Sequence, residues 1–199
     1  LVLRNRAKYA DMDEAFWPIY DKTREYTMTS IEQRYDLYKA VEYVVKAQIP
    51  GDIVECGVWR GGSMMIAALT LISLGDTQRN LLLYDTFEGL PFPDSENDID
   101  IMGNYAADRW REGWIKVDVN EVFDNVLMTG YPMNRVQFIE GMVENTLPSI
   151  ITEYRKAAIV RLDTDWESST RVELEVLWPK LSVGGILLVD DYGHWLGAR

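Results

Sequence analysis

Hydrophobic and polar positions along this chain fall into two kinds of segment. Behind Thr29 the apolar positions Ile31, Tyr35, Tyr38, Val41 and Val45 recur at the spacing of one helical face. Thr29 with Glu32 three residues on predicts a capping box at its start, and Pro50-Gly51 ends it. Farther along, short apolar runs at 52–56, 81–84, 136–139, 158–162 and 186–189 read as strands. Helical patterns lie between them at 63–74, closed by Gly75, at a short stretch capped by Asp118 and Glu121, and at about 168–181. Strands that are nearly all apolar and alternate with helices predict a parallel sheet covered on both faces, a doubly wound α/β domain.

Two stretches fall outside that alternation. The first 28 residues interleave Tyr9, Phe16, Trp17 and Tyr20 with charges and read as an arm, packed on the domain or on a partner subunit, ahead of a domain over 29–199. The connection after the second strand is acidic, carries Phe92, Tyr105, Trp110 and Trp114, and shows few helix or strand signals. A connection of this length predicts a lid, placed here at 92–116, whose aromatics could stack on a sugar or apolar face. The plainer alternative is a solvated acidic loop.

Composition narrows the class. The 199 residues, 47% hydrophobic and 26% charged, are those of one globular domain that needs no disulfide or metal to fold. With 32 acids against 20 bases the net charge is −12, which argues against nucleic acid as the main partner. Cys56 is the sole cysteine, so no intrachain disulfide is possible and a reducing cytoplasm is the natural setting. No apolar run approaches a membrane span, and no signal peptide opens the chain. It starts on Leu1, as a trimmed chain would.

In a doubly wound sheet the ligand lies beyond the carboxyl ends of the strands. Each predicted strand ends in polar groups there: Glu55-Cys56-Gly57, Asp85, Glu140-Gly141, Asp163 with Asp165, and Asp190-Asp191. The first turn, with Gly57, Gly61 and Gly62 leading into Ser63, lacks the Gly-Lys-Ser/Thr of a P-loop and the spacing of the dinucleotide fingerprint. An acid in that turn repels a pyrophosphate and suits a cation or a ribose hydroxyl. Asp85 stands where an acid holds ribose, although a turn aspartate occupies such positions too. An acidic turn with a ribose acid points to S-adenosylmethionine, a nucleoside with a sulfonium and no phosphate; Gly141 belongs to the same donor side.

The pairs Asp163-Thr164-Asp165 and Asp190-Asp191 place four carboxylates at two strand ends. Left uncompensated they repel one another, and a divalent cation is the simplest remedy. All-oxygen donors favour magnesium, with manganese or calcium as substitutes, on Asp163, Asp190 and Asp191. Helix capping is the bland reading of the same acids. His194, the only histidine, reads as a rim residue or a substrate contact, and Cys56 as a small buried hydrophobe.

These residues sit in longer motifs: 51–63 (GDIVECGVWRGGS), 84–91 (YDTFEGLP), 161–170 (RLDTDWESST) and 184–199 (GGILLVDDYGHWLGAR). With them, from about Tyr26 to the last residue, the chain resembles the macrocin O-methyltransferase family, which modifies sugar hydroxyls of antibiotics and related natural products. Thr146-Leu147-Pro148 looks like that family's turn after the third strand. The resemblance implies a class I methyltransferase fold, S-adenosylmethionine as methyl donor, magnesium, and a glycosylated or polyhydroxylated small-molecule acceptor. It implies Glu55, Gly57 and Ser63 in the donor-binding turn and Asp85 on the ribose. Asp163, Asp190 and Asp191 would be metal ligands and Asp165 the general base. Thr164 stands where members often carry glycine, and Trp166 where a smaller or tyrosine-like residue is common. The usual fold has two more strands beyond the fifth, so an exposed sheet edge is expected. The aromatic arm suggests a homo-oligomer.

Three other readings compete. A D-x-D loop after a strand also serves phosphate transfer through an aspartate nucleophile, and metal-dependent glycosyl transfer. Binding of the donor without turnover, as a scaffold, is the non-enzymatic alternative.

Overall fold

A computed structural model of the chain describes residues 8–150 and 156–199; the first seven residues of the expected arm lie outside them. Five parallel strands form one sheet: β1 (Asp52–Cys56), β2 (Leu81–Asp85), β3 (Val136–Glu140), β4 (Ala157–Leu162) and β5 (Leu181–Val189). Their order is β3-β2-β1-β4-β5, so the chain direction across the sheet reverses between β1 and β4. All five predicted strands are present, and β5 starts earlier than its apolar run, at Leu181.

The α-helices among the described residues are α1 (Phe16–Thr23), α2 (Ile31–Lys46), α3 (Gly62–Ser73), α4 (Val119–Leu127), α5 (Val143–Ile150) and α6 (Glu167–Leu177). They divide between the two faces because successive strand side chains alternate. Ile53, Leu81 and Leu83 pack into one layer with Val41 and Val44 of α2, and with Met64 and Leu71 of α3. Val54, Leu82 and Tyr84 pack into the other with Val143 and Leu147 of α5 and Leu177 of α6. Burial on both sides explains why the strands read as unbroken apolar runs rather than alternating ones.

Local signals were displaced in two places. The capping box forms at Ser30 and Gln33, one residue past the expected Thr29 and Glu32. The stretch Thr29-Ser30-Ile31-Glu32-Gln33 contains both pairs; Ser30 has the extended N-cap backbone, while Glu32 accepts from the Tyr9 hydroxyl at 2.6 Å. Thr146-Leu147-Pro148 is not a turn but part of α5, with Pro148 inside the helix. Leu147 is wholly buried in the lower layer, and that burial holds the segment helical.

Of the expected arm, α1 buries Phe16, Trp17 and Ile19 against the chain's own helices, with the Phe16 ring 5.1 Å from Tyr35 and 5.5 Å from Tyr38. Each such burial is worth about 1.5–3 kcal/mol. These aromatics are therefore satisfied within one chain. The connection between β2 and α4 contains one 3-10 turn, Ala106–Asp108, and two isolated bridges, Ile99 to Tyr105 and Asp100 to Trp195. It packs on the C-terminal residues through a small cluster of Ala106, Trp166, Trp195 and Ala198.

Candidate active site

A cavity of about 390 Å³ opens at the carboxyl ends of the strands, where the strand order reverses. Gly57–Trp59 and Asp85 form one wall, and Asp163–Asp165 with Asp190 and Asp191 another. Residues 27–29 and Gln33, ahead of and within α2, close a third side.

The donor wall is built from backbone held by one carboxylate. Asp85 Oδ2 accepts from the amides of Val58 (2.6 Å) and Trp59 (3.1 Å), and its Oδ1 accepts from Phe87 N at 2.8 Å. Asp85 thus ties the turn after β1 to the turn after β2 while facing the cavity. Gly57 has φ +80, and a Cβ on it would fall 1.9 Å from the Asp163 carbonyl oxygen. Ser63 in the first turn of α3 and Gly141 after β3 also line the cavity. Glu55 does not. It is buried behind the turn and accepts from Arg161 Nη1 at 2.9 Å, and burial pushes its carboxyl up despite that cation.

The acidic wall brings the expected residues together. Asp163, Asp190 and Asp191 each offer a carboxylate oxygen within 4.8 Å of the others. They are not uncompensated, as the sequence suggested. Arg161, on β4 and 5% exposed, donates to Asp163 Oδ2 and Asp190 Oδ1, both at 2.6 Å. Against burial, Asp163, Glu55 and Asp190 hold this guanidinium charged. One cation among this many acids is not enough: burial, then mutual repulsion from Asp165, Asp163 and Asp190, pushes Asp191 well above the ordinary aspartate range. Three crowded, oxygen-only donors whose oxygens lie within 4.8 Å of one another fit a hard divalent cation.

Asp165 is aimed by its surroundings. Its backbone is left-handed at φ +68, uncommon for a residue with a side chain, and its Oδ1 accepts from the Trp195 indole at 2.9 Å. Burial raises its carboxyl above the usual range. Trp166 heads α6 without a side-chain cap; Asp98 of the long connection reaches across and accepts from Glu167 N at 2.9 Å. Trp166 Nε1 donates to the Pro91 carbonyl, which fixes the connection over this end of the sheet. Thr164 donates to Glu173 Oε1 at 2.9 Å. His194 stands exposed on the cavity rim, its ring edge-on to Trp195 at 4.8 Å. Cys56 is buried, its thiol pushed up by burial.

Several residues of the site lie outside those expected from the sequence. Arg161 is the one charge inside the run Ala-Ala-Ile-Val-Arg-Leu, and that intrusion is a signal of a buried ion pair. Glu173 falls on the inward stripe of α6 with Thr170 and Leu177, which marks a buried acid. Gln33, which donates to Asp190 Oδ1 at 3.0 Å, and Trp195 carry no such sign.

Glu173 yields a test of its own. Desolvation pushes it up to about 8, so it is buried neutral. A carboxyl raised on folding contributes stability at low pH that is lost as pH climbs from the unfolded value toward 8. Relative to wild type, Glu173→Gln should gain up to about 1.4 kcal/mol per pH unit through that window. Denaturant unfolding at several pH values measures it; curves that stay parallel refute the buried neutral acid.

A five-stranded parallel sheet with helices on both faces and this cavity at its switch point is the fold of the class I S-adenosylmethionine-dependent methyltransferases. The chain belongs to the macrocin-O-methyltransferase (TylF) family, whose model matches residues 5–199. It is 36% identical over 172 residues to 8-demethyl-8-(2,3-dimethoxy-alpha-L-rhamnosyl)-tetracenomycin-C 4'-O-methyltransferase of Streptomyces olivaceus, covering 84% of this chain and 62% of that protein. It is 33% identical over 181 residues to demethyldecarbamoylnovobiocin O-methyltransferase of Streptomyces niveus, covering 88% of this chain and 64% of that one. The chain therefore spans somewhat under two thirds of the length of these relatives. Among solved structures, the O-methyltransferase NovP superposes with a TM-score of 0.69 at 30% identity, over 83% of this chain and 66% of that one. The calicheamicin methyltransferase CalS11, at 20% identity, shares the fold with a TM-score of 0.68, over 93% of this chain and 80% of that one.

Proposed function

We propose that this chain carries the donor site and the catalytic carboxylates of an S-adenosylmethionine-dependent O-methyltransferase, acting with a divalent metal on a hydroxyl of a glycosylated natural product. The observation that carries the reading is that Asp163, Asp190 and Asp191 converge on the same cavity as the Gly57 turn and Asp85. The two sequence relatives named above are O-methyltransferases, and the name of the first describes a rhamnosyl-bearing natural product as its acceptor.

In this reading Gly57, Ser63, Asp85 and Gly141 hold the donor, with backbone close enough to touch it at the two glycines. Asp163, Asp190 and Asp191 hold magnesium, or manganese or calcium in its place. The donor would supply an activated methyl group, and the cation, held by Asp163, Asp190 and Asp191, would supply the charge that lowers the pKa of an acceptor hydroxyl. Asp165 then has one task. Trp195 occupies its Oδ1, which leaves Oδ2 to take the hydroxyl proton as the acceptor oxygen bonds to the donor's methyl carbon and the methyl–sulfur bond breaks, leaving the neutral thioether. The connection 92–116 serves as the cover, with Trp114 and Ile115 already on the cavity wall. No helix among the described residues is long and apolar enough to cross a membrane. With Cys56 as the sole cysteine, the cytoplasm is the setting proposed.

Calorimetric titration with S-adenosylmethionine, with and without magnesium, tests the reading. Micromolar binding is expected, followed by methyl transfer to a glycosylated acceptor. A folded sample that binds no donor overturns it, and binding without transfer to any polyhydroxylated acceptor makes it a binding domain only.

A further inference from the structure

The metal-site reading leaves one buried group without a task. Arg161 sits next to last in β4, in register with Glu55 of β1 on one side and Leu188 of β5 on the other. Its side chain is 5% exposed, and both guanidinium arms are engaged. Nη1 bridges Glu55 and Asp163, while Nη2 reaches Asp190 from the neighbouring strand end. A guanidinium is a rigid fork, so it sets the separation of the carboxylates it binds. Burying it is costly unless it is fully paired. An ordinary structural ion pair needs only Glu55. Here the same cation also clasps two of the three candidate metal ligands, one from each strand.

We propose that Arg161 is a positioning residue, a resident counter-cation that holds Asp163 and Asp190 together before any metal binds. The inference rests on the metal-site reading and adds two consequences. First, Asp163 and Asp190 do not need the metal in order to pack side by side, because Arg161 already bridges them. Second, Arg161 shares its carboxylates with the incoming ion and repels it, so it weakens metal binding and keeps the ion exchangeable. Gln33, which donates to the same Oδ1 of Asp190, steadies that ligand without adding charge.

The test compares wild type with Arg161→Gln and Arg161→Lys, melted in EDTA and in millimolar magnesium chloride, with magnesium affinity measured by calorimetry. Wild type should gain with magnesium only the small rise in melting temperature that weak binding confers. Arg161→Gln should melt lower in EDTA, recover with magnesium, and bind magnesium at least about tenfold more tightly. Arg161→Lys, which keeps the charge, should respond to magnesium much as wild type does. Should Arg161→Gln not fold, the double variant Glu55→Gln with Arg161→Gln carries the same comparison, because it removes the glutamate left unpaired. Equal loss of stability in both buffers with unchanged magnesium affinity makes Arg161 a plain structural residue and overturns the inference. Absence of magnesium and manganese binding in wild type and variant alike overturns the metal-site reading instead.

Discussion

Asp165→Asn should lower turnover by about 100- to 10,000-fold, the range for loss of a positioned general base, while donor affinity stays unchanged. The expectation rests on how little freedom the residue has. Its backbone is held left-handed at φ +68, Trp195 fixes one carboxylate oxygen, and the turn beyond it is anchored by Trp166 N to the Thr164 carbonyl at 2.8 Å. Asparagine keeps the shape, and its side-chain oxygen can still accept from Trp195, but it cannot take a proton at neutral pH. Single-turnover kinetics with a donor titration alongside separate the two quantities. Retention of more than about a tenth of turnover would move the base elsewhere, with His194 on the rim as the next candidate. Loss of donor binding together with turnover would show that Asp165 serves the donor site.

Gly57→Ala should destabilise the fold by about 3 kcal/mol or more and abolish donor binding, because two penalties meet at one atom. The backbone there has φ +80, and the added Cβ would fall 1.9 Å from the Asp163 carbonyl oxygen and 2.5 Å from its carbon. Both are backbone atoms of the adjacent strand end, so no flexible side chain can yield, and relief requires β1 and β4 to part at the cavity. Gly75→Ala is the matched control. It has φ +74 with nothing within 4 Å of its Cβ, so it should cost only the backbone strain of about 1–2 kcal/mol. Chemical unfolding of the two variants gives the difference directly. Equal costs would mean that the turn can open, and that the close approach of the strand ends is not what demands glycine.

Much of this was open to inspection along the chain because it depends on neighbours in sequence. The five strands announce themselves as apolar runs, since each is buried on both faces, and Asp118 caps α4 as its position suggested. The site acids were readable for the same reason: each follows directly on a strand, and a parallel sheet turns that position into a cavity wall. The capping box shows where such reading stops. Two overlapping boxes satisfy the same local rule, and Tyr9, far away in sequence, takes Glu32 and leaves Ser30 with Gln33.

Fold class, strand ends and the carboxylates that crowd them were readable along the chain, because period, burial and turn chemistry are local properties. Which charges meet was set by the packing of the strands. That Arg161 lies between Glu55, Asp163 and Asp190, that Asp85 braces two turns, and that Gln33 reaches Asp190 across 157 residues of chain all follow from the order β2-β1-β4-β5. Electrostatic energy depends on distance in space and on the water excluded around a pair, and neither quantity exists until the strands are side by side.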